Sequence, residues 1–350
     1  MLYGSKSIRR WLALFLVGIG LSGIIAACGP QGDSGDSASQ PDVEITLASF
    51  AVTKAAHDAI IPKFQEKWKA EHNQNVRFNQ SYGGSGSQTR AILDGLEADI
   101  VHLAVGVDVD RLAEGGLVSG DWTEKLPDKG IVTKSVATII TRDGNPKNLT
   151  NWPDLARDGV SFITADPKTS GVAQWNFLAL WGSVTQTGGT EEQAKEFVTQ
   201  AFRNAPILSK DAREATDTFF TQGQGDALVN YENEAILANL KGENLPYTVP
   251  SVNISIDNPL AVVDANVDKH GNREVVEAFA EFLYTPEAQR EFAAVGFRPV
   301  EPTVIAEYAD KFPKIETLFT IDDLGGWGYA REHFFGDGGV FDQIIAAGRS

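Results

Sequence analysis

Hydrophobic and polar residues alternate along residues 43–50 (VEITLASF), and this period of two predicts a β-strand with one buried face. In residues 53–70, apolar side chains instead recur every four positions from Ala56 to Trp68, which predicts an amphipathic helix. The same criteria predict further strands at 76–80, 100–107, 132–142, 160–164 and 227–231, and further helices at 175–181 and 191–202. Strands and helices therefore alternate along the chain, which is typical of an α/β fold.

The first 27 residues have the pattern of an export signal. Residues 1–10 carry three basic residues and no acidic one, and residues 11–27 are uncharged and mostly apolar. The run ends in Ile25-Ala26-Ala27-Cys28, which resembles a bacterial lipobox, and Cys28 is the single cysteine of the 350-residue chain. We therefore predict a lipoprotein signal peptide at 1–27 and lipidation of Cys28. A permanent transmembrane anchor is the alternative, because the apolar run is about long enough to span a bilayer.

Composition and charge limit the organisation and the ligands expected of the rest of the chain. Residues 28–42 are rich in Gly, Ser, Asp and Gln, so we predict a flexible tether there. The roughly 308 residues that follow exceed the usual size of a single core, which predicts two lobes. The formal net charge is −17, which argues against binding nucleic acid or anionic lipid through the overall field. Any anion must be held by a local site that opposes this charge.

Four strand-like runs are each followed by small or polar residues and then by the start of a helix. These junctions are Ala51-Val52-Thr53, Gly84-Ser85-Gly86-Ser87, Thr169-Ser170-Gly171-Val172 and Lys210-Asp211-Ala212-Arg213. Ligands of open α/β sheets lie beyond the carboxyl ends of the strands, and a helix N-terminus offers unpaired N–H groups and partial positive charge to an anion. The alternative is that the serines and threonines are ordinary N-caps.

Enzymatic chemistry is not visible in the sequence. The five histidines are scattered, with no pair at the spacing of metal ligands: His57, His72, His102, His270 and His333. The glycine-rich loop at 83–87 lacks the Gly-Lys-Ser/Thr of a phosphate-binding loop and the final glycine of a nucleophile elbow. An extracytoplasmic hydrolase and a ligand-free surface adhesin remain the alternatives from other classes, and no cofactor or metal is predicted.

Several long motifs occur in one order along the chain, among them SYGGSGSQ, LEADIVHLAVGVDVD, DPKTSGVAQWNFLALWG, YENEA, LYTPEAQ, FRPV and LFTIDDLGGW. They resemble the bacterial periplasmic sulfate-binding proteins over nearly the whole mature chain. The resemblance implies a two-lobed type II periplasmic-binding-protein fold, each lobe a mostly parallel sheet flanked by helices. It further implies no enzymatic activity, capture of a dehydrated anion in the cleft, and delivery to an ABC transporter permease in the inner membrane. We expect lobe I at 43–137 and 250–300, lobe II at 138–249, and a C-terminal segment at 301–350 packing near the hinge.

The resemblance also implies a set of neutral donors for sulfate. Ser85 matches a serine that offers its hydroxyl and its N–H, and Ser170 matches a hydroxyl donor. The matched backbone N–H donors are those of Ala51, Gly171, Val172 and Ala212. Arg213 matches a supporting charge behind a helix end, with a surface ion pair as the alternative.

Two departures from the family pattern matter for the ligand. Tyr231 stands where the family has a tryptophan whose indole N–H donates to the anion, and Asp211 stands beside the Ala212 donor where the family is small and neutral. An acid at 211 is expected to repel a dianion unless it caps the helix from outside. Thiosulfate is the nearest alternative ligand, followed by molybdate or tungstate and then phosphate.

Overall fold

The computed structural model describes residues 41–348. The predicted signal peptide, Cys28 and nearly all of the predicted tether lie outside the described residues. Within them, no helix combines the length and apolar character needed to cross a membrane.

Strands and helices alternate as the hydrophobic pattern predicts. The strands are β1 (Val43–Phe50), β2 (Val76–Gly83), β3 (Ile100–His102), β4 (Ile131–Ser135), β5 (Ala137–Thr141), β6 (Phe162–Ala165), β7 (Ile207–Ser209), β8 (Ala227–Tyr231), β9 (Tyr247–Thr248), β10 (Val252–Ile254), β11 (Ile256–Val262) and β12 (Thr317–Phe319). The helices are α1 (Lys54–His72), α2 (Ser85–Leu93), α3 (Gly106–Glu114), α4 (Gly171–Thr185), α5 (Glu191–Arg203), α6 (Ala212–Phe220), α7 (Glu232–Leu240), α8 (Asp264–His270), α9 (Arg273–Phe282), α10 (Pro286–Ala294), α11 (Pro302–Glu307), α12 (Gly326–Ala330) and α13 (Val340–Gly348).

Two five-stranded sheets organise the molecule, with orders β2-β1-β3-β11-β4 and β7-β6-β8-β5-β9. In each sheet the first three strands are parallel, the fourth runs against them, and the fifth is antiparallel to the fourth. Four strands of each sheet therefore point the same way, and helices cover both sheets. This mixed, mostly parallel arrangement confirms the predicted two-lobed α/β class.

The predicted strand at residues 132–142 is wrong as a single element. It is divided at Val136 into β4, which pairs with β11 in the first sheet, and β5, which pairs with β8 in the second. Val136 is 1% exposed, and its carbonyl accepts the N–H of Glu232 at the start of α7. The chain thus passes from one sheet to the other through an extended, buried connection.

The predicted strand at residues 100–107 is also too long. Only Ile100–His102 pairs with its neighbours, and α3 begins at Gly106. All eight residues of the run are buried, so the apolar pattern reports burial without distinguishing a strand from the buried start of a helix.

Residues after 300 pack on both halves of the molecule. Helix α11 contacts α10, β12 pairs with β10, and α13 contacts α5. The rings of Phe334 and Phe341 lie against Phe177 of α4, which adds the C-terminal helices to the core of the second half.

Candidate functional site

The parallel strands of the two sheets end opposite each other around one small cavity. Register places Phe50 beside Gly83 and Ser49 beside His102, so the segments that follow β1, β2 and β3 reach the same edge of the first sheet. The cavity is lined by Phe50, Ala51, Gly83, Gly84, Ser85, Ala104, Ser170, Gly171, Val172, Asp211, Ala212 and Tyr231. The lining therefore includes all seven positions predicted to bind the ligand, although they are spread over residues 51–231.

Helix N-termini supply most of the main-chain donors around this cavity. Ser85, Gly171 and Ala212 are the first residues of α2, α4 and α6, and Val172 is the second residue of α4. An N–H at such a position has no acceptor within its own helix. Ala51 begins a short 3-10 turn directly after β1. The segments converge, so several main-chain donors and partial positive charges meet at one point without a cation.

None of the lining residues, within the part of the chain that the structure describes, is Lys, Arg or His. The chain as a whole carries a net charge of −17, and the cavity is bounded by backbone, by apolar side chains, by two serines, one tyrosine and one aspartate. The site therefore opposes the overall negative field by local dipoles.

The alternative role of the serines, as ordinary caps, does not fit the geometry. Ser170 occupies the N-cap position of α4, yet its side chain makes no capping hydrogen bond, and it is 3% exposed. Ser85 lies inside α2, whose N-cap is Gly84. The hydroxyl of Thr169 donates to the carbonyl of Lys210 at 2.8 Å. This hydrogen bond joins the loop before α4 to the loop before α6. The hydroxyl of Ser170 thus stays available to a ligand.

The side chain of Ser85 differs from the expectation of a free hydroxyl donor. Its Oγ donates to Oδ2 of Asp108 at 2.6 Å and accepts the N–H of Ala104 at 3.0 Å. Asp108 is 2% exposed on α3, and burial raises the pKa of its carboxyl, against the opposing effects of Ser85 and Arg111. At Ser85, the backbone N–H is therefore the donor that remains.

Asp108 is the residue of this site that sequence reasoning missed. Asp108 and Asp110 both lie within the first turns of α3. A signal was present: Asp108 is the first acid after a run of eight residues without an acidic side chain, at the end of a stretch that is buried throughout. An acid in such a run points to a buried partner, here Ser85.

Tyr231 closes the cavity at the end of β8. The residue is 1% exposed, and its hydroxyl has no hydrogen-bond partner among the described residues. Burial raises the pKa of the phenol well above 10, and the charges of Glu234 and Asp108 add to the effect. The phenol is therefore neutral at physiological pH and keeps a proton to donate. An edge-on contact with Phe50, 5.9 Å between ring centroids, fixes the ring.

The two charged positions beside the Ala212 donor have other partners. Asp211 is the N-cap of α6, and its Oδ1 accepts the N–H of Glu214 at 2.9 Å, which is the outward capping role. Arg213 pairs with Glu234, 2.9 Å between Nη2 and Oε1, where burial raises the pKa of the Glu234 carboxyl. The side chain of Arg213 thus compensates a buried acid of α7.

The two halves approach closely around the cavity, and glycine permits the approach. A Cβ added to Gly171 would lie 2.6 Å from Cβ of Ala104, and one on Gly84 would lie 2.5 Å from the carbonyl oxygen of Thr169. Across the same boundary, the indole N–H of Trp175 donates to the carbonyl of Ala104 at 2.7 Å. These contacts describe a closed cleft.

The histidines do not form a metal centre. Among residues 41–348 no group of three or more His, Cys, Asp or Glu side chains has the geometry of a metal site. Two of the histidines predicted to be scattered do meet: Nδ1 of His102 lies 3.2 Å from Nε2 of His57, and both are fully buried. His270 instead forms hydrogen bonds with Asp99 and Glu97, in the segment that leads into β3.

Comparisons with known proteins agree with this geometry. Residues 45–298 match a family model described as bacterial extracellular solute-binding protein. The chain is 57% identical over 324 residues to a sulfate-binding protein of Synechococcus elongatus, covering 92% of each chain. It is 40% identical to a thiosulfate-binding protein of Pseudomonas aeruginosa, covering 88% of this chain and 93% of the relative.

Among solved structures, the chain resembles the sulfate-binding protein of Mycobacterium tuberculosis H37Rv with a TM-score of 0.78 and 39% identity. The match covers 83% of this chain and 99% of that one. The similarity therefore extends over most of the chain.

Proposed function

Since the chain belongs to the bacterial extracellular solute-binding proteins, we propose that it captures sulfate outside the cytoplasm and delivers it to an ABC importer. Sulfate is favoured because relatives named for sulfate match nearly the full length at the higher identities, 57% and 52%. The protein acts as a receptor and not as an enzyme in this proposal, and its partners are the anion and the transporter permease.

The observation that carries the proposal is a cavity bounded by donors. Its lining residues include Ala51, Ser85, Gly171, Val172 and Ala212, whose N–H groups are the proposed main-chain donors, together with Ser170 and Tyr231, whose hydroxyls are the proposed side-chain donors. A tetrahedral dianion accepts hydrogen bonds at every oxygen, so it satisfies such a set without a counter-ion.

The same donor set accounts for selectivity. Hydrogen phosphate carries an O–H that needs an acceptor, whereas sulfate is fully ionised at neutral pH. A buried polar group without its partner costs about 1–3 kcal/mol, and sites of this kind discriminate strongly. Asp211 directs Oδ1 to the N–H of Glu214, so the proposal requires that its other oxygen, Oδ2, does not accept the phosphate O–H.

Delivery follows from closure of the two halves. The ligand would be shared by donors from both sheets, so it stabilises the closed form over an open one. A permease that recognises the closed surface then receives only loaded protein. We extend the proposal to the N-terminus: lipidation of Cys28 would hold the receptor at the membrane through the tether at 28–42.

Calorimetric titration tests the proposal. The purified protein is unfolded and refolded to remove carried ligand, then titrated with sulfate, thiosulfate and molybdate in one buffer. Sulfate is expected to bind most tightly, at one anion per chain. The absence of binding by every oxyanion would overturn the proposal.

Thiosulfate is the second candidate because a thiosulfate-binding relative is 40% identical to the chain and because Tyr231 has a smaller ring system than tryptophan. A higher affinity for thiosulfate than for sulfate would change the assigned ligand and leave the mechanism intact.

A further inference from the structure

Two of the proposed donors lie on neighbouring elements of the second half. Tyr231 is the last residue of β8, Ala212 is the first residue of α6, and both line the anion cavity. The parallel pairing of β8 with β6 involves only Ala227 and Leu228, so it ends before the strand reaches Tyr231. On this side, the end of β8 therefore needs a restraint other than a neighbouring strand.

The side-chain amide of Asn230 supplies that restraint. Its Oδ1 accepts the N–H of Tyr231 at 2.9 Å. Its Nδ2 donates to the carbonyl of Ala212 at 2.9 Å and to Oγ1 of Thr216 at 3.0 Å. Asn230 is fully buried and does not line the cavity. Both amide hydrogens have acceptors and the amide oxygen has a donor, so these partners hold the side chain in one orientation.

The same chain of hydrogen bonds continues to a buried ion pair. Oγ1 of Thr216 lies 2.6 Å from Oε2 of Glu234 and 3.0 Å from the carbonyl of Ala212. The carboxylate is the stronger acceptor, so the hydroxyl donates to Glu234 and its oxygen accepts from Asn230. Glu234 is buried on α7 and is paired with Arg213 of α6. The network thus ties β8, α6 and α7 together behind the cavity.

We propose that Asn230 is a positioning residue of the anion site, which holds the Tyr231 hydroxyl and the Ala212 N–H where a bound sulfate can accept from both. The inference rests on the proposed function and adds to it a residue that does not touch the anion. Phe50 packs against the phenol ring, but Asn230 restrains the strand end from which that ring projects. Hydrogen bonds weaken steeply as their angle departs from linearity, so a small shift of either donor lowers affinity.

A buried amide with three hydrogen bonds also stabilises the fold, and its removal lowers the free energy of unfolding whether or not it positions a donor. Lower stability therefore does not separate positioning from a purely structural role. Coupling to Tyr231 does separate them, because residues that act through one network have non-additive effects. If Asn230 aims the phenol, its loss matters less once the hydroxyl of Tyr231 is absent.

Calorimetric titration with sulfate on a double-mutant cycle tests the inference, with Asn230→Ala, Tyr231→Phe and the two combined. Asn266→Ala is the matched control. It also removes a buried amide that donates to a main-chain carbonyl, that of Ala98 at 2.6 Å, and Asn266 does not line the cavity. Circular dichroism and thermal unfolding verify that each variant folds. If Asn230→Ala does not fold, Asn230→Ser replaces it, because serine keeps a hydroxyl there and is too short to bridge to α6.

Asn230→Ala should weaken sulfate binding by about tenfold when Tyr231 is intact. In the Tyr231→Phe background, the loss caused by Asn230→Ala should be smaller by at least about threefold. Asn266→Ala should leave sulfate affinity within about twofold of the original in both backgrounds. Losses from Asn230→Ala that are equal in the two backgrounds or absent from both, or an equal loss from Asn266→Ala, would overturn the inference. Failure of the unsubstituted protein to bind sulfate would instead contradict the proposed function.

Discussion

The carboxylate of Asp211 accepts the backbone N–H of Glu214 at 2.9 Å and so caps the helix whose first residue, Ala212, lines the anion cavity. An acid beside an anion site is unfavourable by charge, yet here it stabilises the helix that supplies a donor. Substitutions of Asp211 can separate its effect as a helix cap from its repulsion of a bound anion.

Asp211→Asn should keep the cap and remove the charge. We expect unchanged thermal stability and sulfate binding that is tighter by a factor of a few, because the repulsion is lost. Asp211→Ala should lower the free energy of unfolding by about 1 kcal/mol through loss of the cap. Thermal unfolding and calorimetry distinguish the two, and markedly weaker sulfate binding by Asp211→Asn would contradict this account.

Tyr231→Phe should weaken sulfate binding by about tenfold to a hundredfold, since a hydrogen bond to a charged group contributes about 1.5–3 kcal/mol. Its stability without ligand should not fall, because the hydroxyl has no partner among the described residues. Tyr284→Phe is the matched control: it also removes a buried hydroxyl without a partner, but it does not line the cavity. Equal affinities of the two variants would remove Tyr231 from the proposed donors.

Gly171→Ala should weaken sulfate binding by about fivefold to 150-fold, because overpacking at a close contact costs about 1–3 kcal/mol. The added Cβ would lie 2.6 Å from Cβ of Ala104 and would hold the two halves apart. Gly120→Ala is the control, since a Cβ at that position meets no atom within 4 Å. Small-angle scattering with and without sulfate should show impaired closure in Gly171→Ala alone, and normal closure there would refute the steric explanation.

The buried histidine pair should make the fold sensitive to acid. Burial lowers the pKa of His57 to about 3 and that of His102 well below its usual value. The unfolded chain therefore binds protons first, and the free energy of unfolding should fall as pH drops below about 6.5, by up to about 1.4 kcal/mol per pH unit for each histidine.

Urea unfolding between about pH 7 and pH 5 measures this slope. His102→Gln should make the slope shallower, since one buried neutral imidazole is removed while the contact with His57 can be kept by the amide. An identical slope in both proteins would assign the acid sensitivity to other groups.

Hydrophobic periodicity and capping residues predicted those strands and helices that depend on interactions between neighbours in the sequence. The period-two strand at β1 and the strand at β8 have the predicted bounds, and α5 differs by one residue at its end. Thr190 is the N-cap of α5 and forms a capping box with Gln193, a feature that lies entirely within four residues. The four junctions that carry the donors were also predicted locally, from the small and polar residues between a strand and the helix after it.

Contacts between distant segments were not predictable from the same patterns. An uninterrupted apolar run cannot tell β3 from the start of α3, and nothing local marks Val136 as the point where the chain changes sheets. The direction of the Ser85 hydroxyl depends on Asp108, which is 23 residues away in the sequence. The family resemblance supplied the ligand class and the set of donors, which residue patterns alone had left open.

The central claim is that the groups which hold a tetrahedral anion in the cavity are neutral donors, namely main-chain N–H groups and hydroxyls. Calorimetric titration of the stripped protein with sulfate and with phosphate, at one neutral pH and one ionic strength, tests it most directly. The account predicts tight sulfate binding and phosphate binding weaker by at least about a hundredfold, since an unpaired O–H costs about 1–3 kcal/mol and its partners on the protein are lost as well. Equal affinity for the two anions would contradict it.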